Sequence, residues 1–426
     1  MLGVGGGLYL AAVSWTLAGP EADDISPRAS CCWRPGSRRG PLRAAGSCLV
    51  PRRSMWTIRS SEMDRQRLRI ALDARYLRRA GVGISAYLVD FIAELAEDDF
   101  DLTLLTNDPA HAATLAHAYV SCQVVDLCDR REITWEQRAL PRYLREATPE
   151  IYVAGANRGL PTRSPHATKL ALIVHDLIPL RMPRTHLLSD PFGASRFLFG
   201  TLVSIARADL IIANSHSTSR DVRHLRPNVR ATVRYPSIPT PASTDSGKPK
   251  DWPEEFLLYC GGADSRKNLK GLVAAHAEYR RKGDGLPLVV IGSGFDDRKA
   301  DLLRISSVDA LIFTGLVPDA VKWWAIRTAR AVLYPSTWEG FGLPILEALA
   351  VGTPVLAGRG GAQPEVGGNA VVYVDVHDHE ALLAGIDEVI SASWRGIVRQ
   401  AGPAQVHRIR VSHQTAGQVL RMVYSD

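Results

Sequence analysis

The sequence predicts an α/β protein of two doubly wound parallel-sheet domains that face a central cleft. Three observations predict it. Short apolar runs recur along the chain and alternate with longer helix-like stretches, the order that builds parallel sheets covered by helices. A stretch rich in Pro, Gly, Ser and Thr at 237–253 separates these runs into two sets. The chain has 426 residues, 46% of them hydrophobic, which is enough for two full cores.

Residues 1–62 stand apart from both sets. They hold eight Arg against four acidic residues, so 8 − 4 = +4 of the net +7 lies there and the remainder is near balance. Such a distribution gives no argument for nucleic-acid binding and leaves weak attraction to an anionic membrane surface open. Leu8 to Val13 is apolar, but no Lys or Arg precedes it, as a secretory signal would require. Arg, Gly, Pro, Ser and Cys follow without periodicity to about Ser60. The segment is expected to be either sequence upstream of a true start at Met63 or Met55, or a disordered basic extension. Both readings keep it out of the fold. No run of eighteen apolar residues occurs, so no membrane span is expected. Cys31, Cys32 and Cys48 fall in this leader, and Cys122, Cys128 and Cys260 form neither CxxC nor zinc spacing. They read as small buried thiols in a reducing cytoplasm.

The first domain is expected over 63–236. Arg67 to Asp73 reads as its first strand, and Ala80 to Tyr87 opens an apolar helix pattern that runs to Leu95. Gly81 and Gly83 superficially match a dinucleotide fingerprint, but Ala74 to Ala80 intervene where the glycines should follow the strand directly. That disfavours a dinucleotide-dependent dehydrogenase. Further strands are expected at Leu102–Leu105, Gln123–Leu127, Ile151–Ala154, Lys169–Val174 and Leu210–Ala213, with helices including Glu132–Glu146 and Ser195–Ala206. Ligands of such sheets bind beyond the carboxyl ends of strands, which singles out His175 and Asp176 just past an apolar run. Asp176 either orients His175 or caps the next turn. Asn214 to Ser219 looks like a helix N-cap region. Asp99-Phe100-Asp101 precedes a strand and reads as a solvated turn, so no metal site is expected.

The second domain is expected over 254–402. Phe256 to Cys260 reads as its first buried strand, followed by a glycine turn carrying Arg266 and Lys267 at the start of a helix. Two cations beside glycines there can neutralise two phosphates. Leu288–Ile291, Ala310–Gly315, Pro354–Ala357 and Ala370–Val374 complete the strand set, and a helix is expected from about Pro403 to Met422, in the closing segment 403–426. The most informative stretch is Tyr334 to Ala350. Ala331–Tyr334 reads as a buried strand, and Leu343–Ala350 as a helix with Pro344 suited to its first position. Gly340 and Gly342 lie in the loop between them and let a ligand approach the main chain. The helix N-terminus offers unpaired N–H groups to a phosphate. Glu339 and Glu347 flank it. Anion-binding backbone bracketed by two hydroxyl-binding carboxylates suits a sugar joined to a nucleoside diphosphate.

Glu339-Gly340-Phe341-Gly342-Leu343-Pro344-Ile345-Leu346-Glu347 resembles the E-G-F-G-L-P-x-x-E signature of the retaining glycosyltransferases of family 4 (glycosyl transferases group 1), mannosyl- and rhamnosyl-transferases among them. The resemblance extends over roughly residues 67 to 422 and implies the GT-B fold, with two Rossmann-like domains and a last helix that crosses back to the first. It implies that Glu339, His175 and Lys267 serve the reaction. Gly81, Gly83, Arg266, Val317, Gly340, Phe341, Gly342, Leu343 and Glu347 would bind the donor. Within it, Glu347 holds ribose hydroxyls, Glu339 the sugar hydroxyls, Lys267 and Arg266 the diphosphate, and His175 contacts the sugar from the other domain. Many members carry Arg where Gly262 stands, so Arg266 would have to supply that charge. The Gly360–Val366 loop would approach the donor sugar.

The implied reaction moves a sugar, with GDP-mannose as the leading donor, to an acceptor hydroxyl of a surface polysaccharide glycan or lipid-linked glycan. No cofactor or metal is expected. The place expected is the cytoplasm, with peripheral contact at the inner membrane face. A catalytically silent or epimerase-like nucleotide-sugar-binding protein of the same fold is the alternative. The presence of both glutamates, the histidine and the basic loop speaks against decay, and no extra acid–base carboxylates for an epimerase stand out.

Overall fold

The computed structural model describes residues 67–77, 83–97, 100–181, 191–238, 249–283, 285–296, 299–306 and 310–424. The leader, Gly81 and most of the linker lie outside the described residues. Two all-parallel sheets carry the described chain. The first has seven strands in the order β3-β2-β1-β4-β5-β6-β7: β1 (Leu68–Asp73), β2 (Phe100–Thr106), β3 (Gln123–Asp126), β4 (Ile151–Ala154), β5 (Lys169–Val174), β6 (Leu210–Ala213) and β7 (Ala231–Val233). The second has six in the order β10-β9-β8-β11-β12-β13: β8 (Leu257–Cys260), β9 (Leu288–Ile291), β10 (Leu311–Gly315), β11 (Ala331–Tyr334), β12 (Val355–Ala357) and β13 (Val372–Tyr373). Central strands such as β4, β6, β8 and β11 are buried at every position, which is why they read as continuous apolar runs instead of alternating ones. In each sheet the strand order reverses beside the first strand, β1 or β8, and the carboxyl ends there open a crevice.

Two details differ from the sequence reading. The expected helix Glu132–Glu146 contains a π-helical segment, Trp135–Ala139, between Glu132–Thr134 and Leu140–Ala147. The expected closing helix at Pro403 begins at Ala392 and runs to Val411 with Pro403 inside it. Ser391 caps it through the Trp394 N–H, a start signal that outweighs the proline further along. The thiols also differ from the expectation: Cys260 is buried, Cys122 half-buried and Cys128 exposed.

A further helix, Ala416–Arg421, then packs on the first domain. Ala416, Val419, Leu420 and Val423 join the core formed by β1, β2 and the Gly83–Glu97 helix. Its polar anchor is Glu94. That carboxylate accepts from His413 Nε2 at 2.6 Å and Ala416 N–H at 2.7 Å, and pairs with the Arg234 guanidinium at 2.8 Å. Arg234 is fully buried, also pairs with Asp90 at 2.6 Å, and lies over the Tyr87 and Phe91 rings. Both chain crossings between the domains, after β7 and after the Ala392–Val411 helix, are thus tied to one carboxylate.

Burial alone would raise the Glu94 carboxyl, but the His413 and Arg234 contacts hold it down at about 2. A depressed carboxyl stabilises the fold above its unfolded value and loses that contribution as pH falls. Acid unfolding should therefore steepen between pH 4.5 and 2 in the native chain. Glu94→Gln should lower the stability at pH 7 and flatten that acid limb, as followed by fluorescence-detected denaturation across pH.

Candidate active site

The loop after β11 and the turn after β8 meet at the crevice of the second domain. Asp264 caps a short 3-10 turn, Ser265–Lys267, and Asn268 follows in the left-handed region at φ +50°, anchored by its amide to Val376 O at 2.6 Å. That geometry turns Arg266 and Lys267 toward the β11 loop. Thr337 locks the two segments together, its N–H and hydroxyl both donating to Arg266 O, at 2.7 and 3.1 Å. Glu339 receives both cations: Lys267 Nζ lies 2.6 Å from Oε1 and Arg266 Nη1 2.8 Å from Oε2. Lys267 also donates to the buried Tyr334 hydroxyl at 2.6 Å. Glu339 is only 6% exposed, so desolvation opposes its charge; the two cations overcome that and hold its carboxyl below the usual range. The three sequence-predicted residues thus form one cluster.

Glu347 sits in the second turn of the Leu343–Ala350 helix and is buried. Its partner was missed by the sequence reading. Lys322, on the Asp319–Thr328 helix, reaches Glu347 Oε1 at 2.7 Å. The only signal was a helix following β10. Val317, between β10 and that helix, is half-buried against the core beside it. Gly342 is the residue before the Leu343 helix and adopts φ +107°, which a side chain would strain. The Phe341 ring is buried in the second domain's core and lies 5.8 Å from the Tyr235 ring.

His175 follows β5 and is buried. Its N–H donates to Asn157 Oδ1 at 2.7 Å, and its Nε2 lies 3.1 Å from Gly155 O. That carbonyl accepts only, which assigns the proton to Nε2 and leaves Nδ1 as the acceptor. Burial lowers the ring to about 4, so it is neutral at pH 7. Tyr87 backs it edge-on at 5.1 Å, and the Tyr87 hydroxyl donates to Arg234 O at 3.2 Å. Asp176 caps the next turn, accepting from Ile178 N–H at 3.2 Å. Gly83 begins the first long helix at φ +46° with open space around its missing side chain. Gly81 lies outside the described residues.

The domains touch at this site. A Cβ on Gly340 would run into the His175 carbonyl, so this glycine admits the opposite domain. Ser215 Oγ donates to Gly340 O at 2.7 Å, and the Glu365 carboxylate receives the His216 and Ser217 N–H groups at 2.8 and 3.0 Å. Glu365 thereby meets the positive end of the His216–Leu225 helix across the cleft. Also unforeseen was a buried ion network where β1 and β4 end. Arg75 pairs with Asp73 at 2.7 Å and Glu136 at 3.3 Å, Arg158 pairs with Glu136 at 3.0 Å, and Arg75 stacks over Trp135 at 3.7 Å. These residues are distant in sequence and carry no motif. Among the described residues no group of three or more His, Cys, Asp or Glu is placed to hold a metal ion.

Two family profiles match the two halves of this architecture. Glycosyltransferase Family 4 matches residues 82–240, and Glycosyl transferases group 1 matches 244–400. The chain belongs to the group 1/family 4 glycosyltransferases, and its two-domain fold is GT-B. It is 37% identical over 158 residues to Escherichia coli O-antigen chain mannosyltransferase B, covering 35% of this chain and 41% of that protein. It is 30% identical over 243 residues to the E. coli serotype-specific mannosyltransferase WbdA, covering 52% of this chain and 29% of that protein. The matches thus span less than half the length of these relatives. Among solved structures, Anabaena HepE in complex with UDP and glucose superposes with a TM-score of 0.61 at 17% identity, over 83% of this chain and 99% of that one.

A methyl group at position 340 must push the domains apart. Gly340→Ala should leave the chain folded yet lower kcat/KM by about a hundredfold, since a misplacement of about 1 Å between facing groups has that scale. Steady-state kinetics with circular dichroism of the variant check both halves.

Proposed function

We propose that the chain transfers a sugar from a nucleoside-diphosphate donor to an acceptor hydroxyl with retention of anomeric configuration. GDP-mannose is the donor, and a glycan or lipid-linked glycan of a surface polysaccharide is the acceptor. The observation that carries the reading is the Glu339–Lys267–Arg266 cluster opposite His175. The mannosyltransferase names of the two E. coli relatives support the sugar and the polysaccharide context.

The donor's anomeric C–O bond to phosphate breaks, the acceptor oxygen bonds to that carbon on the same face, and its proton passes to the departing phosphate oxygen. Charge grows on the diphosphate as that bond breaks. Lys267, Arg266 and the N–H groups at Leu343 and Gly342 answer it with preorganised positive charge, which is where most of the rate arises. Glu347 takes the ribose hydroxyls and Glu339 those of the sugar. The neutral His175 accepts a sugar hydroxyl through Nδ1 and supplies no proton at pH 7. The Ser215–Gly340 and Glu365 contacts close the site and keep water from the donor. The needed charges come from the chain itself, so the reading assigns no resident cofactor.

Thermal shift of the full chain with GDP, UDP and dTDP tests the donor site. GDP at a hundred times its Kd should stabilise by about 2.7 kcal/mol, and Glu347→Ala should remove the shift. NMR of the product should show the donor's anomeric configuration. No stabilisation by any of the three from a folded sample, or release of diphosphate without a transferred sugar, overturns the reading in favour of a silent or epimerase-like protein.

A further inference from the structure

The Pro191–Arg207 helix of the first domain turns large apolar side chains to solvent. Its inward face sets Ile205 in the first domain's core beside two small polar residues: Thr201 and Ser204 are each 1% exposed, and the Ser204 hydroxyl accepts from the Gly159 and Leu160 N–H groups at 3.1 Å. Its outward face is apolar. Phe192 is 90% exposed, Phe199 70% and Leu202 42%. Phe192 and Phe199 are seven residues apart and share one stripe, with Arg196 between them and Ala206 two turns further on. Two phenylalanines turned to water cost free energy that this fold recovers only if something covers them.

The charges say what covers them. The helix holds Arg196 and Arg207 and no Asp or Glu. The loop against it and the next helix on the same face of the sheet add exposed Arg163 and Arg138. Hydrogen bonds join these pieces into one surface: Arg207 Nη2 donates to Ser164 Oγ at 3.0 Å, and Thr162 N–H to Gln137 Oε1 at 2.9 Å. A second copy of the chain fits poorly, since a two-fold pairing of this stripe sets Arg196 against Arg196. An anionic bilayer fits well. Its acyl boundary takes the two rings while the arginine stems lie along it and their heads reach the phosphates.

We propose that the Pro191–Arg207 helix docks this protein flat on an anionic lipid surface, with Phe192 and Phe199 inserted and Arg196 and Arg207 on the headgroups. The helix follows the β5 end that carries His175, so docking would hold the cleft near the membrane plane, where a lipid-borne acceptor presents its hydroxyl. That use rests on the acceptor proposed above; the docking itself does not. Among the described residues no helix is long and apolar enough to cross a membrane, so attachment through this helix would be reversible.

The test is co-sedimentation of the full chain with vesicles of phosphatidylcholine alone and of phosphatidylcholine with phosphatidylglycerol, at low and high salt. Binding is expected only with phosphatidylglycerol, weakened by salt. Phe192→Ser with Phe199→Ser should lower the partition coefficient at least about tenfold, and Arg196→Glu about fivefold or more. Thermal unfolding and the nucleotide shift of each variant should match the native chain, which separates lost docking from a lost fold or donor site. Absence of binding to the anionic vesicles, or binding that survives the double substitution, overturns the proposal. So does light scattering that shows a native dimer split by the double substitution, which would assign the stripe to a second copy.

Discussion

Everything at the candidate site depends on one buried carboxylate held ionised by two cations. Glu339 has almost no contact with water, so by itself it would be neutral. Lys267 and Arg266 make its charge tenable, and it in turn makes theirs tenable, since neither cation would remain in that crevice unpaired. A carboxylate sits between two basic groups that a diphosphate would also satisfy.

The second constraint is that the two halves of the site come from different domains. Gly340 has no side chain because the His175 carbonyl takes that space. Glu365 and Ser215 add polar contacts that exist only when the domains are together. Behind them, Glu94, Arg234 and His413 tie both chain crossings to the helix that carries Tyr87, and Tyr87 backs His175. The helix that anchors both chain crossings therefore also carries the ring packed against His175.

Much of this was legible in the sequence. Parallel strands buried on both faces announce themselves as unbroken apolar runs, and Glu339 to Glu347 is a contiguous string whose spacing fixes its geometry. His175 follows a strand directly, so the carboxyl-end rule located it, and Arg266 and Lys267 stood out as two cations beside glycines at a helix start. Lys322, Glu365, Tyr87 and the Asp73–Arg75–Glu136–Arg158 network were not legible. Each is defined by a partner far along the chain, and no local pattern encodes which buried arginine meets which glutamate. Gly340 was recognised as a glycine of close approach, but one sequence does not say whether the approaching group is a ligand or the facing domain. The exposure of Phe192 and Phe199 on the Pro191–Arg207 helix also needed the fold, because a helix pattern in one sequence does not say which side faces the core.

The most direct measurement is calorimetric titration of GDP, with UDP in parallel, into the native chain and Glu339→Gln, with transfer rates of both. If Lys267 and Arg266 are the diphosphate's ligands, and Glu339 pairs with them until the donor arrives and then takes its sugar hydroxyls, the variant should bind diphosphate about tenfold tighter, roughly 1.4 kcal/mol, while transfer collapses. A folded variant that binds both diphosphates more weakly than the native chain would contradict this, and would mean that the two cations serve Glu339 and the phosphates bind elsewhere.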